Sequence, residues 1–428
     1  MSFASKSAVL FKTFLSKTRQ ALILKRYESI WDHVELAPPD AIFGVTEGWK
    51  KDKNSKKVNV GVGAYRDDSG KPYILPSVRK AEEKIFNQKM NHAYVLQDGH
   101  HEFCKLAAEL AFGKDSCVLQ NNLNVTAQSV SGTGALRLGA AFLAKFFQGN
   151  KVIYFPKPTW GNHKNIFAAE GFEGKFYRYY DAETIGLNFR GMREDISKIP
   201  EKSVILFHAV AHNPTGIDPT MDEWKEITYI CKKRKLLVFF DMAYQGFASG
   251  DTEKDAAAVR LFVDDGHEII LAQSFSKNMG LYGQRVGTVT ILTSCEEEQE
   301  KVLSQMKAII LGMYMCPPIH GPRIVAEILG NPIPRSEWLK DLKGMADRII
   351  SARKALVDNL KKAGSTKNWD HITKQIGMFC YTGLTPDQVK KISKEHSIYL
   401  TADGRISVAG VGTKNVEYLA HAMHTVTK

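Results

Sequence analysis

The order of apolar and polar positions along the chain resolves into two kinds of segment. Short runs that are apolar at consecutive positions occur at residues 125–130, 151–155, 203–210, 236–241, 268–274 and 287–292. Between several of them lie stretches with the three-to-four-residue repeat of an amphipathic helix, as at 134–147 and 221–235. Strands apolar on both faces and separated by helices predict an α/β fold with a mostly parallel central sheet and helices on both faces. From about Trp338 a long helical pattern runs through Leu360, followed by short strands near 377–382 and 405–408. That change predicts a smaller α+β domain. The charge run 296–301 reads as the solvated face of a helix.

A length of 428 residues predicts two to three folding units. With 44% hydrophobic and 24% charged residues the chain can bury a large core, which excludes disorder and a stapled mini-protein. No apolar run approaches the roughly 18–20 residues of a helical membrane span.

The net charge of +12 invites a nucleic-acid reading until it is located. Lys6, Lys12, Lys17, Arg19, Lys25 and Arg26 all precede the first acid, Glu28. Without them, 52 basic residues face 46 acidic ones, and no basic stripe interleaved with aromatics remains. Nucleic acid is therefore not an expected partner. The leader itself, residues 1–27, is basic, Ser-rich and free of acids, the composition of a mitochondrial transit peptide. Lys12 and Lys17 break it up too often for a secretory signal, and a loose cytosolic tail is the plainer alternative. Cysteines 104, 117, 231, 295, 316 and 380 show no Cys-x-x-Cys spacing and are expected reduced and mostly buried, as in a matrix or cytosolic protein.

Candidate chemistry lies at strand ends, where open parallel sheets bind ligands. Gln128-Ser-Val-Ser-Gly-Thr-Gly-Ala follows one strand and opens a helix, and its amides and hydroxyls could cradle a phosphate. A dinucleotide fingerprint would need glycine at Arg137 and a later acid, so a single phosphate fits better than NAD, and a tight turn is the simpler alternative. The apolar strand 236–240 ends in Asp241, costly to bury unless it meets a cation. A helix cap or loop acid is the commoner fate of such a residue. The next strand ends in Ser274-Phe-Ser-Lys277. Successive parallel strands bring Asp241 and Lys277 to one edge, the pairing by which a pyridoxal phosphate enzyme faces a pyridinium nitrogen and forms a Schiff base. Arg285 could grip a phosphate through two N–H groups. His208 and His212 are four apart but flank a strand end, where that spacing is not expected to set two metal ligands side by side, and no metal is assigned. The turn His212-Asn-Pro-Thr-Gly216 would project Asn213 from the same edge.

Together these segments resemble the aspartate aminotransferases, fold-type I pyridoxal phosphate enzymes, and most of all their mitochondrial animal-type branch, from about Ile30 to Lys428. Further carriers are Pro38-Pro-Asp-Ala-Ile, Val60-Gly-Val-Gly-Ala-Tyr-Arg-Asp-Asp68, Pro158-Thr-Trp-Gly-Asn-His163, Asp241-Met-Ala-Tyr-Gln-Gly-Phe-Ala-Ser-Gly250 and Asp403-Gly-Arg-Ile-Ser-Val-Ala-Gly410. The resemblance implies transfer of the amino group from L-aspartate to 2-oxoglutarate, giving oxaloacetate and L-glutamate, with pyridoxal 5'-phosphate as cofactor, in the mitochondrial matrix. Lys277 would hold the cofactor as a Schiff base and shuttle the proton, and Asp241 would keep the ring nitrogen protonated. Tyr244 and Asn213 would bond the phenolic oxygen, and Trp160 would stack on the ring. Ser131, Gly132, Thr133, Ser274 and Arg285 would hold the phosphate, joined by Tyr94 of a second copy. Arg405 would grip the substrate α-carboxylate beside Gly63. The family works as a homodimer whose N-terminal arm wraps the partner. Expected divisions are a targeting segment (1–27), an arm and part of a small domain (28–72), a large cofactor domain (73–344) and a C-terminal small domain (345–428).

One departure falls where substrate is chosen. The family's Arg, three residues, then Ser-Asn-Pro-Pro becomes Leu311-Gly-Met-Tyr-Met315-Cys316-Pro317-Pro318, so the partner-lent arginine for the distal carboxylate is Leu311. After Tyr94, Leu-Pro-Ile has become Val95-Leu-Gln97. Two alternatives follow: a paralogue using a neutral or aromatic amino donor, or a weakly active paralogue retained for binding. His163 or an unplaced lysine is the expected substitute cation if dicarboxylates are still used.

Overall fold

A computed structural model describes residues 29–37 and 41–428. The expected targeting segment 1–27 and the Pro38-Pro-Asp40 part of one family motif lie outside the described residues. Residues 29–37 form a short turn, in which Asp32 N–H donates to the Ser29 carbonyl at 3.0 Å and Val34 N–H to that of Trp31 at 2.9 Å.

The body, 41–428, is organised on a seven-stranded sheet. Its strands are β1 (Asn124–Val130), β2 (Val152–Lys157), β3 (Glu173–Arg178), β4 (Val204–His208), β5 (Leu237–Met242), β6 (Ile269–Ser274) and β7 (Val286–Leu292). Their order across the sheet is β1-β7-β6-β5-β4-β2-β3. Only β7 runs against its neighbours; the other pairings are parallel. The mostly parallel sheet expected from consecutive apolar runs is thus present. The physical reason is visible in β4, where Val204 and Leu206 pack with the helix Ser131–Phe146 while Ile205 and Phe207 pack with Trp224 and Ile227 of the helix Met221–Lys233. A strand must be apolar at every position when both faces are covered.

Element ends differ from expectation where local chemistry intervenes. The helix after β1 begins at Ser131 rather than residue 134, so the phosphate-binding candidates form its first turn. The long helix runs from Pro332 to Lys362, with proline in the first turn, where its missing N–H costs nothing. Trp338 on that helix donates its indole N–H to the Asn278 carbonyl at 2.9 Å, tethering it to the residue after Lys277. The charge run does open a helix, Glu296–Tyr314, whose first three residues are acidic. Near the other end of the body, Val58–Asn59 pairs in parallel with Ile398–Tyr399. All six cysteines are free, but only Cys104, Cys231 and Cys380 are buried, whereas Cys117 and Cys295 are exposed.

Candidate active site

Because β1, β2, β4, β5 and β6 share one direction, their carboxyl ends share one edge. The reversed strand β7 starts at that edge, which puts Arg285, the residue before it, among them. Along the edge His208 stands in register with Asp241, the ends of β4 and β5. A cavity of about 200 Å³ opens there. Twelve of the thirteen residues singled out from sequence line it; Tyr94 does not. Among the twelve are Lys277, Asp241, Tyr244 and Arg405, drawn from three separate segments of the chain.

One wall is built of hydroxyls. Ser131 lies in the left-handed region (φ +61°) at the mouth of its helix, where the partial positive charge of free N–H groups favours an anion. Its Oγ is 2.8 Å from Ser276 Oγ and 3.2 Å from Ser274 Oγ. Ser276 was not among the sequence candidates, although it sits inside the Ser-Phe-Ser-Lys motif. Arg285 closes this wall, also with positive φ (+54°), with one N–H on the Tyr282 carbonyl at 3.0 Å. A guanidinium, three hydroxyls and a helix mouth form a donor set suited to a dianionic phosphate.

The opposite wall is a buried polar chain whose direction the backbone sets. Asn213 N–H donates to His208 Nδ1 at 3.3 Å, so this imidazole carries its proton on Nε2. Nε2 lies 3.1 Å from Thr159 Oγ1, which lies 2.8 Å from His163 Nδ1, and His163 Nε2 lies 3.0 Å from Asp241 Oδ2. With His208 Nε2 donating, each bond in turn has one donor and one acceptor, ending on the carboxylate. Burial pushes His208 down to about 3, so both charge and orientation agree with a neutral ring. Burial alone would push Asp241 up, but the His163 hydrogen bond, helped by nearby Lys277, prevails and holds its carboxyl below the usual range.

Lys277 is half-buried, and desolvation, reinforced by Arg285 and Arg405, pulls its ammonium below the ordinary lysine range despite Asp241. Its Nζ lies 5.3 Å from the Tyr244 ring centroid. Burial raises the Tyr244 phenol, which keeps it a neutral donor. Arg405 donates to Asn213 Oδ1 and to the Gly61 carbonyl, each at 3.1 Å, and stacks over Phe379 at 4.1 Å. Phe379 explains Gly63: a Cβ there would sit 2.8 Å from the Phe379 ring.

Two expectations need correction. His163 is fully buried and committed to Asp241 and Thr159, so it is no substitute cation for Leu311. The lysine a turn before Leu311, Lys307, is paired with Asp98 at 3.3 Å. His208 and His212 do lie side by side, with ring centroids 4.3 Å apart, because the turn at Ala211 (φ +52°) folds the chain back. His212 is held by Thr215 and stacked on Tyr179 at 4.0 Å. Tyr94 and Leu311 are 80% and 54% exposed and do not line this cavity. The roles of Thr159 and His163 escaped the sequence reading because nothing local marks a buried histidine beneath a distant strand end.

A family model for class I and II aminotransferases matches residues 55–423. The chain is 56% identical over 417 residues to a mitochondrial aspartate aminotransferase of Gallus gallus, covering 97% of this chain and 99% of that protein. It is similar to a solved mitochondrial aspartate aminotransferase of Trypanosoma brucei (43% identity, TM-score 0.87, 90% of this chain and 100% of that one). It is also similar to an aromatic-amino-acid aminotransferase of Burkholderia pseudomallei covalently bound to pyridoxal phosphate (40% identity, TM-score 0.91, 94% and 100%).

Proposed function

The chain belongs to the class I and II aminotransferases, and we propose on that premise that it transfers the amino group of L-aspartate to 2-oxoglutarate, yielding oxaloacetate and L-glutamate. In this proposal it uses pyridoxal 5'-phosphate, which a solved relative holds covalently, and acts in the mitochondrial matrix, which its relatives' names and its basic leader support; the homodimer follows from the family resemblance. The observation that carries the reading is the meeting of Lys277, Asp241 and Arg405 on one buried cavity within a chain similar to these enzymes over nearly its whole length.

The residues present fit the cofactor. The hydroxyl wall with Arg285 suits its phosphate, and the buried anionic Asp241 suits a protonated ring nitrogen. When bound, pyridoxal phosphate supplies an aldehyde that condenses with amines and a ring that accepts electron density from the α-carbon. In this proposal Lys277 Nζ attaches the cofactor and then moves the proton at the substrate α-carbon. Its depressed pKa supports both tasks, since each needs a free amine. Tyr244 and Asn213 are assigned to the phenolic oxygen and Trp160 to the ring face. Arg405 binds the α-carboxylate with the N–H groups not spent on Asn213 and Gly61, beside Gly63. Ser131, Gly132, Thr133 and Ser274 hold the phosphate, with Tyr94 lent by the second copy. The division into arm, large domain (73–344) and small domain (345–428) belongs to the same proposal.

The likeness to aspartate enzymes does not favour the neutral-donor or binding-only alternatives. The test is kcat/KM for aspartate, phenylalanine, tyrosine and alanine, each against 2-oxoglutarate and pyruvate. Aspartate with 2-oxoglutarate is expected to rank first. A neutral or aromatic donor outranking it would overturn the substrate assignment, and failure of borohydride to fix the cofactor on Lys277 would overturn the cofactor's attachment.

A further inference from the structure

The described residues contain a second cavity, larger than the catalytic one at about 680 Å³ and lined by a separate set of residues. Its floor comes from the helix Ala41–Lys51, the strand Val58–Asn59 and the segment leading into the helix Val416–Thr427. Lys50, Lys56, Lys57, Arg66 and Lys414 line it, and no aspartate or glutamate does. Five like charges around one concavity repel each other unless an anion joins them. None of the five forms an ion pair among the described residues. Lys57 is held in place by the Trp49 and Asp52 carbonyls at 2.9 and 2.6 Å, and Arg66 by the Gly70 carbonyl at 2.9 Å. Lys50, Lys56 and Lys414 are exposed, Lys414 within electrostatic reach of Asp68. Asp52 lies within electrostatic reach of Lys57 and Asp68 of Lys414, but neither lines the cavity: Asp52 accepts from Asn54 N–H and Tyr399 O–H, and Asp68 from Thr413. Trp49, with Lys57 Nζ 4.7 Å from its ring centroid, and Tyr418 give the cavity aromatic walls. The volume is that of a small-molecule site.

We propose that this cavity binds a small polyanion carrying clustered phosphates, a nucleotide or a free polyphosphate. The cations supply the phosphate contacts, and the aromatic walls supply a surface on which a base could lie. The site adjoins the catalytic one through a single segment: Asn59 and Val62 line the new cavity, whereas Gly63 lines the catalytic one and the Gly61 carbonyl holds Arg405.

The test is isothermal titration of the holoenzyme, its cofactor phosphate site already filled, with ATP, AMP and tripolyphosphate at 0.1 M salt. Saturable binding of one ATP or tripolyphosphate per protomer is expected, weakened at least tenfold in Lys50→Glu/Lys414→Glu and unchanged in Lys361→Glu/Lys362→Glu at the end of the long helix. Both double variants alter exposed side chains, and an unchanged aspartate turnover checks their fold. ATP binding at least tenfold tighter than tripolyphosphate identifies a nucleotide site; equal affinities identify recognition of the phosphates alone. No saturable binding of any probe, or equal affinity in wild type and Lys50→Glu/Lys414→Glu, overturns the proposal.

Discussion

Replacing His163 with leucine removes the only side chain that, among the described residues, hydrogen-bonds Asp241, while leaving the carboxylate itself in place. A hydrogen bond to a charged group contributes about 1.5–3 kcal/mol, so its loss should raise the Asp241 pKa. The starting point lies below 3.8, and the variant's carboxyl should therefore stay ionised at pH 8. The acid limb of kcat should move upward, while kcat at pH 8 falls by less than about tenfold. The same sign governs stability. A depressed folded pKa contributes stability above the unfolded pKa that is lost as pH falls through the folded value, so the variant loses part of that contribution. His163→Gln, whose amide N–H can still donate, should recover part of the shift. Oxaloacetate formation followed from pH 3 to 9 provides the readout. An unmoved acid limb in folded His163→Leu would refute the reasoning, because His163 would then not be what keeps Asp241 charged. A collapse at pH 8 as deep as that of Asp241→Asn would refute it equally, by giving His163 a task of its own.

Three other outcomes are expected. Lys277→Ala should abolish turnover, because attachment and proton transfer both use this amine, and residual activity within tenfold of wild type would contradict its role. Leu311→Arg should raise aspartate kcat/KM tenfold or more: an unpaired buried carboxylate costs on the order of 3–5 kcal/mol, which bounds the gain at several-thousand-fold. A folded variant with no gain would mean that the distal carboxylate is held by another group. Burial pushes Asp218 up to about 6, against an ordinary value of 3.8, although it accepts the Ala211 and His212 amides at 2.6 and 2.9 Å. Between pH 4 and 6 the unfolded chain releases this proton first, so the group lowers stability by roughly 3 kcal/mol as pH rises through that window. Urea melts across it should be flatter for Asp218→Asn, and an identical slope would discount the group.

The sheet was legible because consecutive apolar positions leave a strand no solvent face, and that requirement is local. The same is true of the candidate residues at strand ends: Ser131, Asp241 and Lys277 each interrupt or close an apolar run. Only the tertiary structure decided which strand ends meet. The order β1-β7-β6-β5-β4-β2-β3 depends on crossovers spanning dozens of residues, and the reversal of β7 is what returns Arg285 to the catalytic edge. His163 offered nothing local to distinguish it from a surface cation. Its identity as Asp241's partner arises because two segments 78 residues apart are packed in contact. The five cations of the second cavity were likewise ordinary lysines and an arginine in the sequence. Side-chain period reports burial, whereas a site is made by long-range contacts, and those are chosen by how the faces pack.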